Sequence, residues 1–419
     1  MLYRALGRHR LSRISTQNSA PESLTVAKGS DRAWALWPVV PIYPYGYRRT
    51  LKREIIPGKL WLFEQVQGIF YVIVPIRMTV IKLASGGLMA FSPVAPTREC
   101  VRMMRELEAE HGEVKYVILP TVTGVEHKYF AGPFARQFKN SQVYVAPNQW
   151  SFPLDLPMSW LGFPAKRTHT LPADPRQTPF FDEFDYAIVG PIELSVKPYT
   201  EVAFFHRETR SLLIIDTILS IPKEPPIVVQ QDPFPLMFHA RDSAQDPLAD
   251  TPETRLKGWA RIALFTFYFQ PQKLNVPSLK RVLKDAAKSP NRSKKNYFGL
   301  YPFDWQPDWY ESFKQLRRDG RLLVAPILQT LIFNRGPRAV LDWADKIAQW
   351  DFQQVIPCHF SAPIAATPAD FRQAFDFLER PNRSSWSGYE HDVPMPDLNT
   401  LRQINERIER EVLAPPANK

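Results

Sequence analysis

The sequence predicts a layered α/β domain, and three observations carry that expectation. Strand-like segments fill residues 59–91, strand and helix signals alternate from there to residue 145, and proline is abundant (41 copies) against 17 glycines in 419 residues. Alternation of strand and helix implies stacked layers, and frequent proline argues against an all-helical bundle. The length exceeds the usual size of a single core, so one enlarged domain or two are expected.

Residues 1–33 read as a disordered basic tail, and Glu22 is the one acid in the first thirty. In a eukaryotic chain this composition indicates an organelle transit peptide, in a bacterial chain a plain basic tail, and the apolar core of a secretory signal is missing. Residues 34–57 set Trp34, Trp37, Tyr43, Tyr45 and Tyr47 among Pro38, Pro41 and Pro44, an extended aromatic arm expected to pack along the domain. Lys59–Phe63, Gly68–Val74, Met78–Leu83 and Leu88–Phe91 are dense in β-formers and read as sequential antiparallel strands. Thr97 caps a helix in which Val101, Met104 and Leu107 recur near helical spacing until Gly112. A strand at 114–119, a helix near 129–138 and a strand at 142–145 follow.

The proline-rich stretch 151–182 reads as a long surface loop. A strand pair is expected at 186–189 and 192–196, then a hairpin of 202–205 and 211–215. Residues 256–269, with Trp259, Ile262, Phe265, Phe267 and Phe269, are too short to span a bilayer. They read either as a buried helix or as an interfacial, partner-docking surface. A helix near 337–349, the strand before His359, and amphipathic helices at 370–378 and 398–412 complete the chain.

The formal charge is +11, concentrated before residue 60 and between Lys280 and Lys295. Such runs hold an anionic membrane surface or nucleic acid, or are solvated faces. They lack the interleaved stacking module of single-strand binders, so the expected partner is a protein or an anionic membrane surface, not nucleic acid. No transmembrane segment is expected, because the best candidate, Ile69–Val94, is broken by Pro75, Arg77, Lys82 and Gly86-Gly87. Two cysteines, Cys100 and Cys358, exclude a disulfide framework and an all-cysteine zinc module, and fit a reducing compartment. Phosphate-loop and Gly-x-Ser-x-Gly signatures are absent. His169, His239 and His391 fall in Pro-flanked, loop-like stretches without a motif.

Three short stretches place chemistry just after apolar runs. Thr121-Val122-Thr123-Gly124-Val125-Glu126-His127 follows Val117–Pro120, Asp216 ends Leu212–Ile215, and His359 follows Val355–Cys358. Strand ends that converge at one sheet edge are where ligand sites form. The other reading of His127 and His359 is a buried imidazole bonded to a carboxylate, Glu126 or Asp216.

The hairpin from Glu201 to Asp216-Thr217 resembles the one ending in Gly-Asp-Thr in the metallo-β-lactamase superfamily. The order of elements resembles that family over 58–220 and 338–366. The resemblance implies a four-layer αββα sandwich at 58–366 with a large helical insertion at about 220–337, and 367–419 as C-terminal helices. The whole chain further resembles a divergent branch of that superfamily, a domain of unknown function from cyanobacteria and plastids. This implies a place in the cytoplasm or plastid stroma, peripheral to the thylakoid.

In the resembled family a His-x-His-x-Asp-His motif, a further His, a bridging Asp and a last His hold two metals. Carried onto this chain, Val122, Gly124 and Lys197 stand where the first metal's ligands would be. The second site keeps Glu126, His127, Asp216 and His359. A lysine about 4 Å from a dication costs roughly 8 kcal/mol at an effective dielectric near 20, which disfavours two metals. The expectation is a pocket without a cofactor, in which Lys197 takes the first metal's place and pairs with Asp216. The alternative is one Zn, Fe or Mn ion on the four kept residues, a metal-dependent hydrolase with Glu126 or Asp216 as base. The resemblance thus points to a non-catalytic binding protein, with the arm (34–57) and residues 256–295 as contact surfaces.

Overall fold

The computed structural model of the protein describes residues 30–36, 38, 41–122, 127–151, 154–194, 197–379 and 395–411. One compact unit runs from Asp31 onward. The expected tail falls outside the described residues up to position 29, but Arg32 already belongs to the folded unit, its Nε 2.9 Å from a Glu99 carboxylate oxygen.

The first sheet is built from β1 (Leu51–Ile56), β2 (Leu60–Ile69), β3 (Val72–Lys82) and β4 (Leu88–Phe91), paired antiparallel in chain order. After helix α1 (Arg98–His111) comes β5 (Val114–Leu119), then α2 (His127–Gln137), β6 (Gln142–Val145) and β7 (Thr168–Thr170). These last three strands add in parallel, giving seven strands in sequence order. The Thr97 hydroxyl accepts from the Cys100 amide at 3.2 Å, and Gly112, at φ 94°, ends α1, as the cap signals predict.

The second sheet takes β8 (Phe184–Ile192), β9 (Tyr199–His206) and β10 (Ser211–Ile214). The insertion follows, with α3 (Ile227–Gln230), α4 (Phe234–Ala240), α5 (Pro252–Tyr268), β11 (Leu274–Asn275), α6 (Leu279–Ala287), β12 (Asp304–Trp305), α7 (Trp309–Arg317) and α8 (Pro326–Leu331). Helix α9 (Pro337–Ile347) then leads to β13 (Gln354–Pro357) and β14 (Ile364–Ala365), with α10 (Pro368–Gln373) and α11 (Asn399–Arg410) beyond. Strand β13 joins β10 in parallel, so the sheet order is β14-β13-β10-β9-β8.

Strand periodicity sorts the core into layers. On β2, Trp61 and Phe63 meet Met104 of α1 and Phe134 of α2, whereas Leu60 and Leu62 face Phe204 and Leu213 of the other sheet. Phe91 and Phe204 touch edge to face across the interface, with centroids 5.5 Å apart. On β9, Ala203 and Phe205 turn the other way, into a third cluster with α5 and α9. The order helix, sheet, sheet, helix is the expected four-layer sandwich.

Several elements differ from expectation. The stretch 151–182 contributes β7 to the sheet edge, so it is not all loop. Residues 186–196 do not make a strand pair; β8 is one strand that pairs with β9, and positions 195 and 196 lie outside the described residues. His239 lies in α4 and His169 in β7, not in loops, and His391 is outside the described residues.

Residues 256–269 are resolved in favour of the buried helix. Trp259, Ile262, Ala263 and Leu264 are fully buried, and Gly258 packs so closely that a Cβ there would stand 1.9 Å from the Leu236 carbonyl oxygen. The apolar run is therefore core rather than a docking surface. Trp305 and Trp309 enclose the Arg261 guanidinium, 5.1 and 4.6 Å from their ring centres, and so anchor the insertion. In the arm, Trp34 and Tyr43 are buried, and Trp37 lies outside the described residues. Among the described residues no helix is long and apolar enough to cross a membrane.

Candidate functional site

The ends of β5, β9, β10 and β13 meet at one edge of the sandwich. Pro120 accepts the Val202 amide at 2.7 Å and Thr200 accepts the Val122 amide at 3.1 Å, which ties the end of β5 to β9. Parallel pairing of β10 with β13 brings the residues after each strand, Asp216 and His359, to the same level.

His127 opens α2 and is 1 % exposed; its Nδ1 lies 3.0 Å from the Pro93 carbonyl. His359 Nδ1 lies 2.9 Å from the Pro75 carbonyl within β3. A carbonyl can only accept, so each ring carries its proton on Nδ1. The two rings lie 6.2 Å apart, inclined at 50°. Nε2 of His359 lies 3.0 Å from Asp216 Oδ1. With Nδ1–H already committed, this contact is a hydrogen bond when a further proton sits on Nε2 or on the carboxyl group.

Behind Asp216 lies a residue that sequence reasoning missed. Glu201, fully buried in β9, accepts from the Tyr199 hydroxyl at 2.6 Å and from the Ile215 and Asp216 amides at 3.0 and 3.3 Å. Burial first, and then the adjacent Asp216 carboxylate, push its carboxyl up to about 7. The available signal was an acid inside Tyr199-Thr200-Glu201-Val202-Ala203-Phe204-Phe205, where every neighbour but Ala203 is a strand former. Glu201, Asp216 and His359 are linked in one chain of contacts, from the Glu201 carboxylate through the Asp216 amide to the Asp216 carboxylate and His359 Nε2.

The loop carrying His359 is held from below by a buried guanidinium. Arg77 donates to the Pro357 carbonyl, to the Phe360 carbonyl at 2.8 Å and to Glu64 at 2.8 Å. Arg53 bridges Glu64, at 2.7 Å, and the Ala362 carbonyl, at 3.1 Å. Burial opposes ionisation of Glu64, but the Arg77 and Arg53 charges hold its carboxyl below the usual range.

Lys197 is not where it was expected. Its Nζ pairs with Asp155 at 2.8 Å on a side chain 44 % exposed, so the expected pairing with Asp216 is not formed. The Pro-rich stretch brings Asp155 within reach, which sequence order does not reveal. The buried ammonium of this region is instead Lys128, 2 % exposed, donating to the carbonyls of Val122 and Trp150, with the Trp150 ring centre 5.4 Å away. Burial pushes it down to about 8. A cation next to His127 in a helix-forming stretch carries no signal that it turns inward.

Val122 is buried in the core between the sheets. Gly124 and Glu126 lie outside the described residues. Cys358 is buried, and burial pushes its thiol well up, away from thiolate reactivity. Among the described residues no three His, Cys, Asp or Glu side chains converge closely enough to hold a metal ion.

The layers and this edge define the class: a metallo-β-lactamase-like αββα sandwich with an enlarged insertion. The chain belongs to the family described as Domain of unknown function (DUF4336), whose model matches residues 57–377. No protein among those with curated descriptions matches it. Similar solved structures include a metal-soaked Flv1 flavodiiron core from Synechocystis sp. PCC6803, at 9 % identity and TM-score 0.39, covering 79 % of this chain and 61 % of that one. The chain thus spans under two thirds of that relative. A metallo-beta-lactamase from Pontibacter korlensis is 10 % identical, with TM-score 0.34, covering 78 % of this chain and 99 % of that one. A fragment of a putative diflavin flavoprotein from Nostoc sp. PCC 7120 is 12 % identical, with TM-score 0.38, covering 79 % and 97 %. These are likenesses of fold.

Proposed function

We propose that this chain is a non-catalytic member of its superfamily that acts by binding a protein or an anionic membrane surface. The observation that carries the reading is the His359–Asp216 contact of 3.0 Å over the buried Glu201. In this reading Asp216 and His359 satisfy each other at two of the ligand positions, and His127 bonds to the Pro93 carbonyl. A site in the cytoplasm or plastid stroma, peripheral to photosynthetic membranes, rests on the resemblance of the whole chain to the branch from oxygenic phototrophs.

A second reading keeps one Zn, Fe or Mn ion on Glu126, His127, Asp216 and His359, as a metal-dependent hydrolase. One observation favours it: both imidazoles commit Nδ1–H to a backbone carbonyl, the arrangement that orients Nε2 in metal sites.

Metal content by inductively coupled plasma mass spectrometry separates the two. Chelator-free wild type is compared with the double variant His127→Ala, His359→Ala. Neither protein is expected to hold stoichiometric metal. Close to one metal per chain in wild type, lost in the variant, would overturn the first reading and establish the second.

A further inference from the structure

The insertion presents an apolar surface with a basic border. On α6, Val282 and Ala286 turn inward, while Leu279 and Leu283, one turn apart, are 72 % and 55 % exposed. A solvated helix would show the opposite pattern. Phe298, in the turn after α6, is also exposed, as is Ile69 at the tip of the β2–β3 hairpin.

These positions belong to adjoining segments. Phe70 stacks on Tyr297, with centroids 4.2 Å apart, and the Tyr71 hydroxyl donates to the Lys295 carbonyl at 2.8 Å. Gly299 lies against α6, where a Cβ would stand 2.9 Å from the Ala286 carbonyl oxygen. Tyr297 and Phe298 both take left-handed backbone (φ 47° and 57°), a costly conformation for bulky residues. Packing of Tyr297 against Phe70 holds that turn, and Phe298 projects from it.

Lys280, Lys284, Lys288, Arg292, Lys294 and Lys295 are all exposed in the same segments. Asp285 is the one acid between 276 and 298, and it faces Arg281 at 3.7 Å. We infer that α6, the 291–299 turn and the β2–β3 hairpin tip form a docking face for an anionic phospholipid bilayer. The inference gives a place and a partner to the binding role proposed above, on which it rests. Aliphatic tips reach the acyl boundary while the lysines meet the headgroups. Three of the four exposed apolar tips, Leu279, Leu283 and Ile69, are aliphatic, which favours a bilayer over the run of aromatic platforms that single-strand binders use.

The test is flotation of the full chain with phosphatidylcholine vesicles and with equimolar phosphatidylcholine–phosphatidylglycerol vesicles. Binding is expected to the second alone. The variant Leu279→Ser, Leu283→Ser keeps the charge and is expected to lower partitioning about tenfold or more. Lys280→Gln, Lys284→Gln is expected to lower it about fivefold per lysine. Each side chain is exposed, so the melting temperature should hold. Trp160→Ser, at an exposed apolar residue outside the insertion, should leave binding unchanged. Absence of flotation with the anionic vesicles, or equal flotation of wild type and both α6 variants, would overturn the inference. Neither result bears on metal content, so the two proposals fail separately.

Discussion

Asp216 Oδ1 stands 3.0 Å from His359 Nε2, joining the ends of two parallel strands, β10 and β13. Because Asp216 is one-third exposed, solvent screens the pair and its contribution is modest. His359→Ala should destabilise the protein by about 1–2 kcal/mol, from the lost pair and the lost bond to Pro75. Urea denaturation at neutral pH measures it, and an unchanged midpoint would show that the contact adds nothing.

Glu201 should give stability a distinctive pH dependence. Its carboxyl is raised to about 7 in the folded chain, above its unfolded value of 4.5, so the folded state holds the proton more tightly. The associated stability is fully present below 4.5 and is lost as pH rises through about 7. The full effect is roughly 3 kcal/mol. Glu201→Gln should remove this downward slope, which unfolding at pH 4.5–8 would detect.

Arg77 and Glu64 are both buried, and removing Arg77 leaves Glu64 with the half-buried Arg53 alone and the Pro357 and Phe360 carbonyls without their donor. Arg77→Met should cost about 3–5 kcal/mol and loosen the loop that carries His359. The double variant Arg77→Met, Glu64→Gln should regain part of that loss. A double-mutant cycle in guanidinium reads the coupling, and strict additivity would refute it.

Lys128→Met should expose the cost of two unsatisfied carbonyls, those of Val122 and Trp150, at about 1–3 kcal/mol. Its ammonium is lowered from 10.5 to about 8, so the folded chain binds fewer protons than the unfolded chain between those values. Wild-type stability should therefore gain an upward contribution from pH 8 to 10.5, absent in the variant. Thermal melts across that range test the difference.

Strands β2 to β6, helix α1, the β9–β10 hairpin and α9 were legible because each carries its own periodicity and turn or cap signals, whereas β1 (Leu51–Ile56) lay within the stretch read as an extended arm. Residues 256–269 were not decidable: an apolar stretch reads alike whether it faces a core or a partner, and the close approach at Gly258 is a tertiary fact. Strand β7 was missed because Thr168–Thr170 is three residues long and gains its hydrogen bonds from β6 alone.

The same division holds at the site. His127, Asp216 and His359 could be picked out because each follows a strand-like run, and local sequence marks strand ends. Glu201, Arg77 and Lys128 carry no such mark; they are charged side chains whose burial and partners come from segments distant in the chain. The sequence by itself determined the alternation of strand and helix and which residues follow strand-like runs, because those follow from local pattern; that these strand ends converge was implied by the family resemblance. Only the tertiary structure decided that Lys197 turns to Asp155, that Lys128 is the buried cation, and that Glu201 sits behind Asp216. Those choices depend on which charges packing removes from water, and desolvation is a property of the assembled fold.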